Sequence, residues 1–555
     1  LLELRTDYVL ELPLTAMVAL ALWRLGCWWH PLDGGRWRQA LWAALSIAGA
    51  LLVKQSALLI LIPVLLLVVA SVCRGRRFVA RRWQLVMGVG CVVAALLPWL
   101  RHNWITTLGG TNRAVIESAA LEGDPGVLSL EGWLWYVRLL PDQIGWGLLV
   151  LGGSGVILWY WQRRTLNGDE RLAWRWLILS LVAGWIFTHL SPNKDDRYIA
   201  PLLPMFLILL SRGVWQWGLW VKKRWPARSS WLPGLVLLLG GCNMVSNGWS
   251  VQSTRLGHGH QGPLDAIVRR AGGADPQSQP VTLIVVPSTP DLNQHNVSYY
   301  GRRQGGRLVG RQLGSSKFDV KPVLEQGQWV LLAEGDQGSV RGSAETLDRA
   351  VRTSGVFVHV ETFARPQGGT YSLWRRDADS MEPVLFQERF PALAAGLSLG
   401  PPGLDAVFSS IAVEHMLDGH FLYRKPLKKQ ALSRLANNPS DKEARWTLAL
   451  LAVLANRPSE AAEQFAALEA LLPENPWPSA YRSVVTLAGW NPWGASSVAA
   501  AARQQHGDQP VLVGLDAISA VLGGGLWRLP EAVQSLPPAV RAVEKSLNSQ
   551  ENTSN

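Results

Sequence analysis

Cysteine is scarce in this chain, and the second half of the sequence contains none. The four cysteines are Cys27, Cys73, Cys91 and Cys242, and all lie within apolar runs or at their ends. Disulfide frameworks and cysteine-based zinc sites both need several cysteines spaced along one soluble segment. The sequence therefore excludes both for the second half.

Other signatures of soluble catalytic sites are also missing. The second half has no nucleophile triad, no glycine-rich phosphate loop and no cluster of metal ligands. His258 and His260 in "GHGHQG" lack a third ligand nearby, and "GGRLVG" and "GSVRG" are better explained as turns than as nucleotide-binding loops. We therefore expect no cofactor; no motif indicates a divalent metal ion, and the sequence leaves metal dependence open.

Charged residues are few as well. They make up 17% of the chain, against about 25% in an average soluble protein. Residues 1–250 form a series of apolar runs, whereas 251–555 have an ordinary water-soluble composition. The net charge of +12 could indicate nucleic acid, but the lysines and arginines cluster in short loops between apolar runs. We therefore predict a membrane protein with no nucleic-acid partner.

The apolar runs predict about eight membrane spans, because a crossing takes roughly 20 apolar residues. The predicted spans are residues 12–29, 38–53, 56–73, 83–100, 143–162, 172–190, 198–220 and 231–250. The loops 30–39, 74–82, 162–171 and 221–230 are rich in Lys and Arg, which places them in the cytoplasm. Alternation then predicts a multi-pass protein of the plasma (inner) membrane whose second half is extracytoplasmic.

The second half predicts two further regions. Residues 251–380 alternate short strands and helices and end in a predicted hairpin, "VFVHVETFA" and "GTYSLWRR", which indicates a small extracytoplasmic α/β domain. Residues 381–555 are helical and alanine-rich and end in a segment predicted to be disordered. Pro439 and Pro473 lie 34 residues apart there, with Ala461 and Phe465 at the offsets of a tetratricopeptide repeat. This TPR-like tail is expected to be irregular and is a candidate for binding a protein partner.

Ionisable residues gather at the predicted extracytoplasmic ends of four helices, and such membrane-edge groups are functional candidates. They are Arg5, Asp7 and Glu11 before the first span, Lys54 at a hairpin tip, Arg101 and His102 after "LLPW", and Lys194, Asp195, Asp196, Arg197 and Tyr198 before the seventh span. Cations can hold a lipid phosphate while a carboxylate accepts a proton from an acceptor hydroxyl. The set therefore suits group transfer from a phosphate-bearing lipid.

Four segments carry a family resemblance: "RTDYVLELPLT", "GALLVKQSALLILIP", "LLPWLRHNW" and "NKDDRYIAPLLPMFLILL". Together they resemble polyprenyl-phosphate-dependent glycosyltransferases of the protein O-mannosyltransferase and aminoarabinose transferase type, which have the glycosyltransferase C fold. The resemblance covers about residues 1–250. It implies that a sugar is transferred, with inversion, from a polyprenyl-phosphate donor to a hydroxyl of a glycan, lipid or protein. It also implies that the protein is surrounded by membrane lipids.

The resemblance also implies roles for individual residues. Glu11 stands where the family usually has an Asp, and with Asp7 it is the catalytic candidate. Lys54 matches the Lys of a "GlallxK" stretch, and Lys194, Arg197 and Tyr198 match a "K…RY…lPllP" element. With Arg101 and Arg5, these four are expected to bind the donor phosphate. The family's first outer loop, with its main acidic residue, is expected upstream of Leu1, so we take the sequence to be N-terminally truncated.

Each of these residues also has a purely structural interpretation. Lys54 can extend to the lipid headgroups, Glu11 can cap a helix, and Lys194 and Arg197 can pair with Asp195 and Asp196 on the surface. An alternative function is a transporter or flippase-like membrane protein, or an envelope assembly scaffold, with a periplasmic interaction domain.

Overall fold

The computed structural model is mostly helical and divides into two compact units, Leu1–Gly257 and His258–Asn555. It describes residues 10–30, 36–74, 79–112, 115, 119, 124–162, 167–226, 234, 238, 241–242, 262–273, 280–289, 291–312, 320–338, 341–365, 368–377 and 386–554.

The described residues of the first unit form eight helices and one 3₁₀ turn. In chain order they are α1 (Glu11–Trp29), α2 (Trp37–Val53), α3 (Ala57–Arg74), α4 (Val79–Asn112), α5 (Leu130–Ile144), α6 (Trp146–Gln162), α7 (Gly168–His189), the turn Asp196–Leu202, and α8 (Leu203–Arg224). Apolar composition explains these helices, and local caps set some of their ends. Asn167, for example, forms a capping box with Glu170 at the start of α7.

Five helices of the described part are long and apolar enough to cross a membrane: Glu11–Trp29, Ala57–Arg74, Arg81–Trp104, Gly168–His189 and Asp196–Arg224. A sixth is added if α5 and α6, which are bent by 111°, count as one span. The predicted run 38–53 forms α2, an apolar helix of 17 residues. The predicted run 231–250 falls almost entirely outside the described residues. The membrane character of this unit is thus supported, while the number of eight spans stays a prediction.

Helices of the first unit pack around two apolar clusters in the described part of the chain, of which the larger joins α1 and α3 to the 3₁₀ turn. Val18 and Ala21 of α1, Leu61 and Val64 of α3 and Leu202 of the 3₁₀ turn are buried in the larger cluster. Two glycines bring α6 and α8 into backbone contact, because a Cβ on Gly155 would overlap the carbonyl group of Gly213. Between α5 and α6, Gly145 adopts a φ of 91°, a conformation that glycine tolerates, and the chain bends there.

The second unit begins with a five-stranded mixed sheet. Its strands are β1 (Val281–Val285), β2 (Leu308–Arg311), β3 (Trp329–Ala333), β4 (Phe357–Ala364) and β5 (Thr370–Arg376), in the order β2-β1-β3-β5-β4. β1 is parallel to β2 and β3, with Val281 opposite Leu308 and Leu283 opposite Trp329. β5 is antiparallel to both β3 and β4. The predicted terminal hairpin is therefore confirmed, and β5 lies inside the sheet.

Helices cover both faces of this sheet. They are α9 (Leu264–Gly272), α10 (Gln294–Arg303), α11 (Val320–Gln326) and α12 (Arg341–Thr353). Val268 and Val297, from α9 and α10, pack on one face, whereas Val323 and Leu347, from α11 and α12, pack on the other. The small α/β domain predicted from the sequence is present as this mixed sheet with its helices.

The rest of the second unit is a helical tail. Its helices are α13 (Phe386–Gly396), α14 (Pro401–Leu417), α15 (Arg424–Asn437), α16 (Lys442–Leu454), α17 (Pro458–Leu471), α18 (Trp477–Ala488), α19 (Pro492–His506), α20 (Pro510–Leu522) and α21 (Leu529–Ser554). From α16 onward each helix packs against the next. The two residues singled out in the repeat pattern, Ala461 and Phe465, are buried in the tail core. The helical character of the tail is as expected, and its likeness to tetratricopeptide repeats stays a prediction. The end that was predicted to be disordered lies instead in α21, which reaches Ser554.

Candidate functional site

Three separate segments of the membrane unit converge where α1 begins. Glu11 is the first residue of α1, Lys54 follows the last residue of α2, and Arg197 and Tyr198 belong to the 3₁₀ turn. α1 packs against that turn and against α3, which brings these segments together. The predicted site residues Glu11, Lys54, Arg197 and Tyr198 thus form one cluster at one end of the helix bundle.

An ion pair between Glu11 and Lys54 forms the centre of this cluster. The Glu11 side chain is 2% exposed and the Lys54 side chain is 31% exposed. The Lys54 Nζ also lies 5.5 Å from the centroid of the Tyr198 ring, within range of a cation–π contact. A carboxylate buried to this degree needs a partner, and Lys54 supplies it.

Arg197 forms a second pair with Asp195 beside the first. Its Nε donates to the two oxygens of Asp195 at 2.9 and 3.0 Å, and its backbone N–H donates to Oδ1 at 3.0 Å. Burial raises the pKa of Asp195, but hydrogen bonds from Arg197 and Asp196 outweigh it and bring that pKa to about 2. Asp195 therefore stays ionised near neutral pH. The Arg197 side chain is 41% exposed, and the guanidinium also interacts electrostatically with Glu11.

The structure places Lys194 in a different environment, where it is only 3% exposed. Its Nζ donates to the carbonyl oxygen of His189 at 2.5 Å, and its backbone N–H donates to Asp124 at 2.7 Å. Burial lowers the pKa of Lys194, whereas Asp124 acts in the opposite direction. The ammonium group therefore contacts the C-terminal end of α7, a favourable position for a cation. Its predicted role in phosphate binding stays a prediction.

The remaining predicted residues are not brought into the cluster by the described structure. Arg101 and His102 are exposed on α4. Within the described part of the chain, no contact joins Arg101 to Glu11, Lys54 or Arg197. Arg5 and Asp7 lie outside the described residues. The expectation that Arg101 binds the donor phosphate together with Lys54 and Arg197 therefore has no support from this geometry.

An aromatic cluster next to Lys194 was not expected from the sequence. The His189 ring stacks on Trp133 at a centroid distance of 5.1 Å and contacts Tyr136 and Trp185 at 5.0 and 4.8 Å. Tyr136 and His189 are fully buried. The sequence does show polar residues at the ends of apolar helices, which is a sign that such a cluster could form. Which of these residues stack on one another depends on how α5 and α7 pack.

The Glu11–Lys54–Arg197–Tyr198 cluster combines groups suited to one kind of chemistry. An ammonium and a guanidinium can hold a phosphate, and guanidinium groups do so through paired hydrogen bonds. A nearby carboxylate can accept a proton, and Tyr198 adds a hydroxyl group. Among the residues that the structure describes, no group of three or more His, Cys, Asp or Glu side chains could hold a metal ion.

No family can be assigned to this chain from similarity to known proteins. Comparisons with protein-family models, with curated proteins and with solved structures find no match to this chain.

Proposed function

We propose that this protein is an integral membrane glycosyltransferase. In this proposal it transfers a sugar from a polyprenyl-phosphate donor to an acceptor hydroxyl at the extracytoplasmic surface of the plasma membrane. The observation that carries the proposal is the convergence of Glu11, Lys54, Arg197 and Tyr198 from three segments distant in sequence. The order of the four sequence motifs, which resembles that of polyprenyl-phosphate-dependent glycosyltransferases, supports it further.

Lys54 and Arg197 are the donor-binding residues of this proposal. Both are partly exposed, at 31% and 41%, and each is paired with a carboxylate that holds its charged group in place. A lipid phosphate carries enough negative charge to compete with Glu11 for the Lys54 ammonium. Binding of the donor would then free the Glu11 carboxylate while the cations neutralise the leaving phosphate.

The chemical step is a single displacement at the anomeric carbon. The acceptor oxygen forms a bond to that carbon as the carbon–oxygen bond to the phosphate breaks. The bonding electrons leave with the polyprenyl phosphate, and the acceptor proton passes to a carboxylate. Glu11 is the described candidate for this base, and Asp7 is the second candidate from the sequence. Attack from the face opposite the leaving group inverts the anomeric configuration.

The test is sugar transfer by the full chain in proteoliposomes that contain a polyprenyl-phosphate-linked radiolabelled sugar and an extract of envelope acceptors. We expect Lys54→Met and Arg197→Gln to reduce transfer at least a hundredfold, since each removes transition-state charge stabilisation of about 2.7–4 kcal/mol. Lys222→Met is the matched control, because Lys222 is exposed near the opposite end of α8. Transfer that is unaffected by both site variants would contradict the proposal.

A transporter is the second candidate, and one observation favours it. The 111° bend between α5 and α6 has the geometry of a broken span or of a re-entrant loop, and transporters build binding sites from broken helices. Only one such pair occurs among the described residues, whereas transporter repeats have matching pairs. Movement of a labelled polyprenyl-phosphate sugar across the bilayer, with no sugar transferred, would favour this alternative over the first.

The helical tail alone would suit an assembly scaffold, but a scaffold leaves the clustered charges unexplained.

A further inference from the structure

Arg212 is the most deeply placed arginine of the predicted membrane spans. It lies eight residues from the nearer end of span 198–220, whereas Arg24, Arg175 and Arg38 each lie five residues or fewer from an end of their spans. Eight residues of α-helix correspond to about 12 Å. A charged side chain at such a depth is costly unless an opposite charge or a polar cavity accompanies it, and it is a candidate for binding.

The contact between α6 and α8 confirms that Arg212 is far from the helix ends. Gly213, the next residue, contacts Gly155 near the middle of α6, so Arg212 is level with the middle part of that helix. Helix side chains lean towards the N-terminus of their helix. The Arg212 side chain therefore leans away from Lys222–Arg224, the basic end of α8.

An aromatic ring and a pair of amides lie near the guanidinium of Arg212. Its Cζ is 5.7 Å from the centroid of the Trp159 ring, within range of a cation–π contact. Trp159 is buried and packs against Trp174 of α7, with 5.1 Å between the ring centroids. One turn further along α8, Nε2 of Gln216 donates to Oε1 of Gln162 at 2.8 Å.

Arg212 also borders the exposed side of α8. Ile208, Trp215 and Leu219 are four, three and seven residues away along the helix, so they share its side, and all three are exposed. Gln216, on the other flank of Arg212, is buried in the contact with α6. Arg212 itself is partly exposed. In a membrane-spanning unit, an exposed apolar stripe of this kind faces lipid, so Arg212 lies between lipid and the protein interior.

Arg212 has no carboxylate partner in the described part of the chain. None of the described residues forms an ion pair with its guanidinium, and its Nε has no hydrogen-bond acceptor among them. The sequence explains this, because none of the eight predicted spans contains an Asp or a Glu. The cation–π contact offsets part of the desolvation cost but supplies no negative charge. A molecule outside the chain is therefore needed to supply the counter-charge.

Membrane phospholipids can supply that charge. Their phosphate oxygens accept paired hydrogen bonds from a guanidinium group, and basic pockets between spans bind anionic lipid headgroups. A bilayer also thins locally around a buried charge, so a phosphate can meet Arg212 below the usual headgroup level. The exposed stripe formed by Ile208, Trp215 and Leu219 offers an apolar surface for the acyl chains.

We infer that the border between α6 and α8 binds an anionic phospholipid. Arg212 pairs with the lipid phosphate, and the acyl chains lie along the exposed stripe of α8. Arg212 follows Arg197 by fifteen residues, so this site is separate from the Glu11–Lys54–Arg197–Tyr198 cluster and does not depend on the proposed transferase activity.

The test is lipid binding by the delipidated full chain in dodecyl maltoside, an uncharged detergent. Dioleoyl phosphatidylglycerol is titrated, and native mass spectrometry gives the Kd of the first bound lipid. Dioleoylglycerol has the same acyl chains without the phosphate. We expect phosphatidylglycerol to bind at least tenfold more tightly than dioleoylglycerol, and Arg212→Met to lose this preference. Arg212→Lys keeps the charge and should retain part of it.

A thermal shift separates loss of binding from loss of folding. Without lipid, Arg212→Met should be at least as stable as the unchanged chain, because an unpaired charge has been removed from apolar surroundings. Phosphatidylglycerol should then raise the apparent Tm of the unchanged chain and leave that of Arg212→Met where it is.

Arg224→Met is the control, since it removes an exposed arginine from the end of the same helix. This variant should keep the full preference for phosphatidylglycerol. The inference would be overturned if Arg212→Met bound phosphatidylglycerol as tightly as the unchanged chain, or if dioleoylglycerol bound equally well. Displacement of the lipid by an equal concentration of inorganic phosphate would also overturn it, because the acyl chains would then contribute nothing.

Discussion

At the scale of single residues, two neighbours at the end of α14 have pKa values far from their ordinary range. Burial, assisted by Asp418 and opposed by Arg389, raises the pKa of Glu414 to about 7. Burial, together with Arg424 and Arg311 and against Asp418, lowers the pKa of His415 to about 4. His415 also shares a 2.7 Å hydrogen bond with Tyr423. Both side chains therefore favour the neutral form in the folded chain.

These two groups predict opposite pH dependences of stability. Folding is favoured by Glu414 below its unfolded pKa of 4.5, and this contribution is lost as pH rises to about 7. For His415 the contribution is present above its unfolded pKa of 6.5 and is lost as pH falls to about 4. Between pH 4.5 and 6.5 the two contributions to the free energy of unfolding change in opposite directions with pH. The stability of the unchanged protein should therefore depend little on pH through this pair.

Single substitutions should reveal the pH dependence of stability that each group contributes. With Glu414→Gln, protection of α14 against hydrogen exchange should increase as pH rises from 4.5 to 6.5, after correction for the intrinsic exchange rate. With His415→Gln, protection should decrease over the same range. Glu474→Gln changes an exposed acid of the tail and serves as the control. Identical pH profiles for all three variants would show that the pair does not titrate as described.

The buried carboxylate of Glu11 gives a second prediction at this scale. Glu11→Gln leaves Lys54 without its charged partner, so we expect the membrane unit to lose about 1–3 kcal/mol of stability, between the values for surface and buried pairs. The measurement is the apparent Tm of the full chain in detergent. Glu460→Gln breaks exposed pairs with Lys428 and Arg457, and we expect no measurable change in Tm for this variant. Equal Tm values for the two variants would mean that the Glu11–Lys54 pair contributes no stability.

At the scale of elements, the contact between α6 and α8 depends on glycine. A Cβ on Gly213 would overlap the carbonyl oxygen of Gly152, which belongs to the backbone and cannot move aside easily. Gly213→Ala should therefore separate the two helices and cost about 1–3 kcal/mol, as overpacking does. Gly153→Ala is the matched control, because no described atom lies within 4 Å of that added Cβ. Equal apparent Tm values for Gly213→Ala and Gly153→Ala would contradict the close approach of α6 and α8.

Long elements of this fold could be predicted from the sequence, and short ones could not. The apolar runs 12–29 and 56–73 correspond closely to α1 and α3, since length and composition determine such helices. The strand β2 was missed, because it has four residues and follows the glycine turn of "GGRLVG". The helix α10 was also missed, although Asn293 and Asn296 form a capping box at its start.

The candidate site was predictable in its residue types and less so in its contacts. Charges at helix ends are visible in the sequence, so Glu11, Lys54 and Arg197 could be selected together. Their pairing depends on which helix ends meet, and this is decided by packing between distant segments. The same packing buries Lys194 against α7 and leaves Arg101 exposed on α4. Sequence position alone does not distinguish these environments.

At the scale of the whole molecule, the arrangement across the membrane is a prediction of the basic loops. We expect the 221–230 loop to face the cytoplasm and the helical tail to face the other side. In a background with Cys27, Cys73, Cys91 and Cys242 replaced by Ser, Glu474→Cys should react with an impermeant maleimide in intact spheroplasts. Lys223→Cys should react only after lysis. Labelling of both positions from the same side would contradict the predicted alternation.

The position of β5 has a consequence for how the second unit is made. β5 is the last strand in sequence, yet it lies between β3 and β4. Until residues 370–376 have been synthesised, one edge of β3 and one edge of β4 remain without their hydrogen-bonding neighbour. Unpaired edges attract other chains, so a released chain that ends just before Thr370 should be a better substrate for chaperones than one that ends after Arg376.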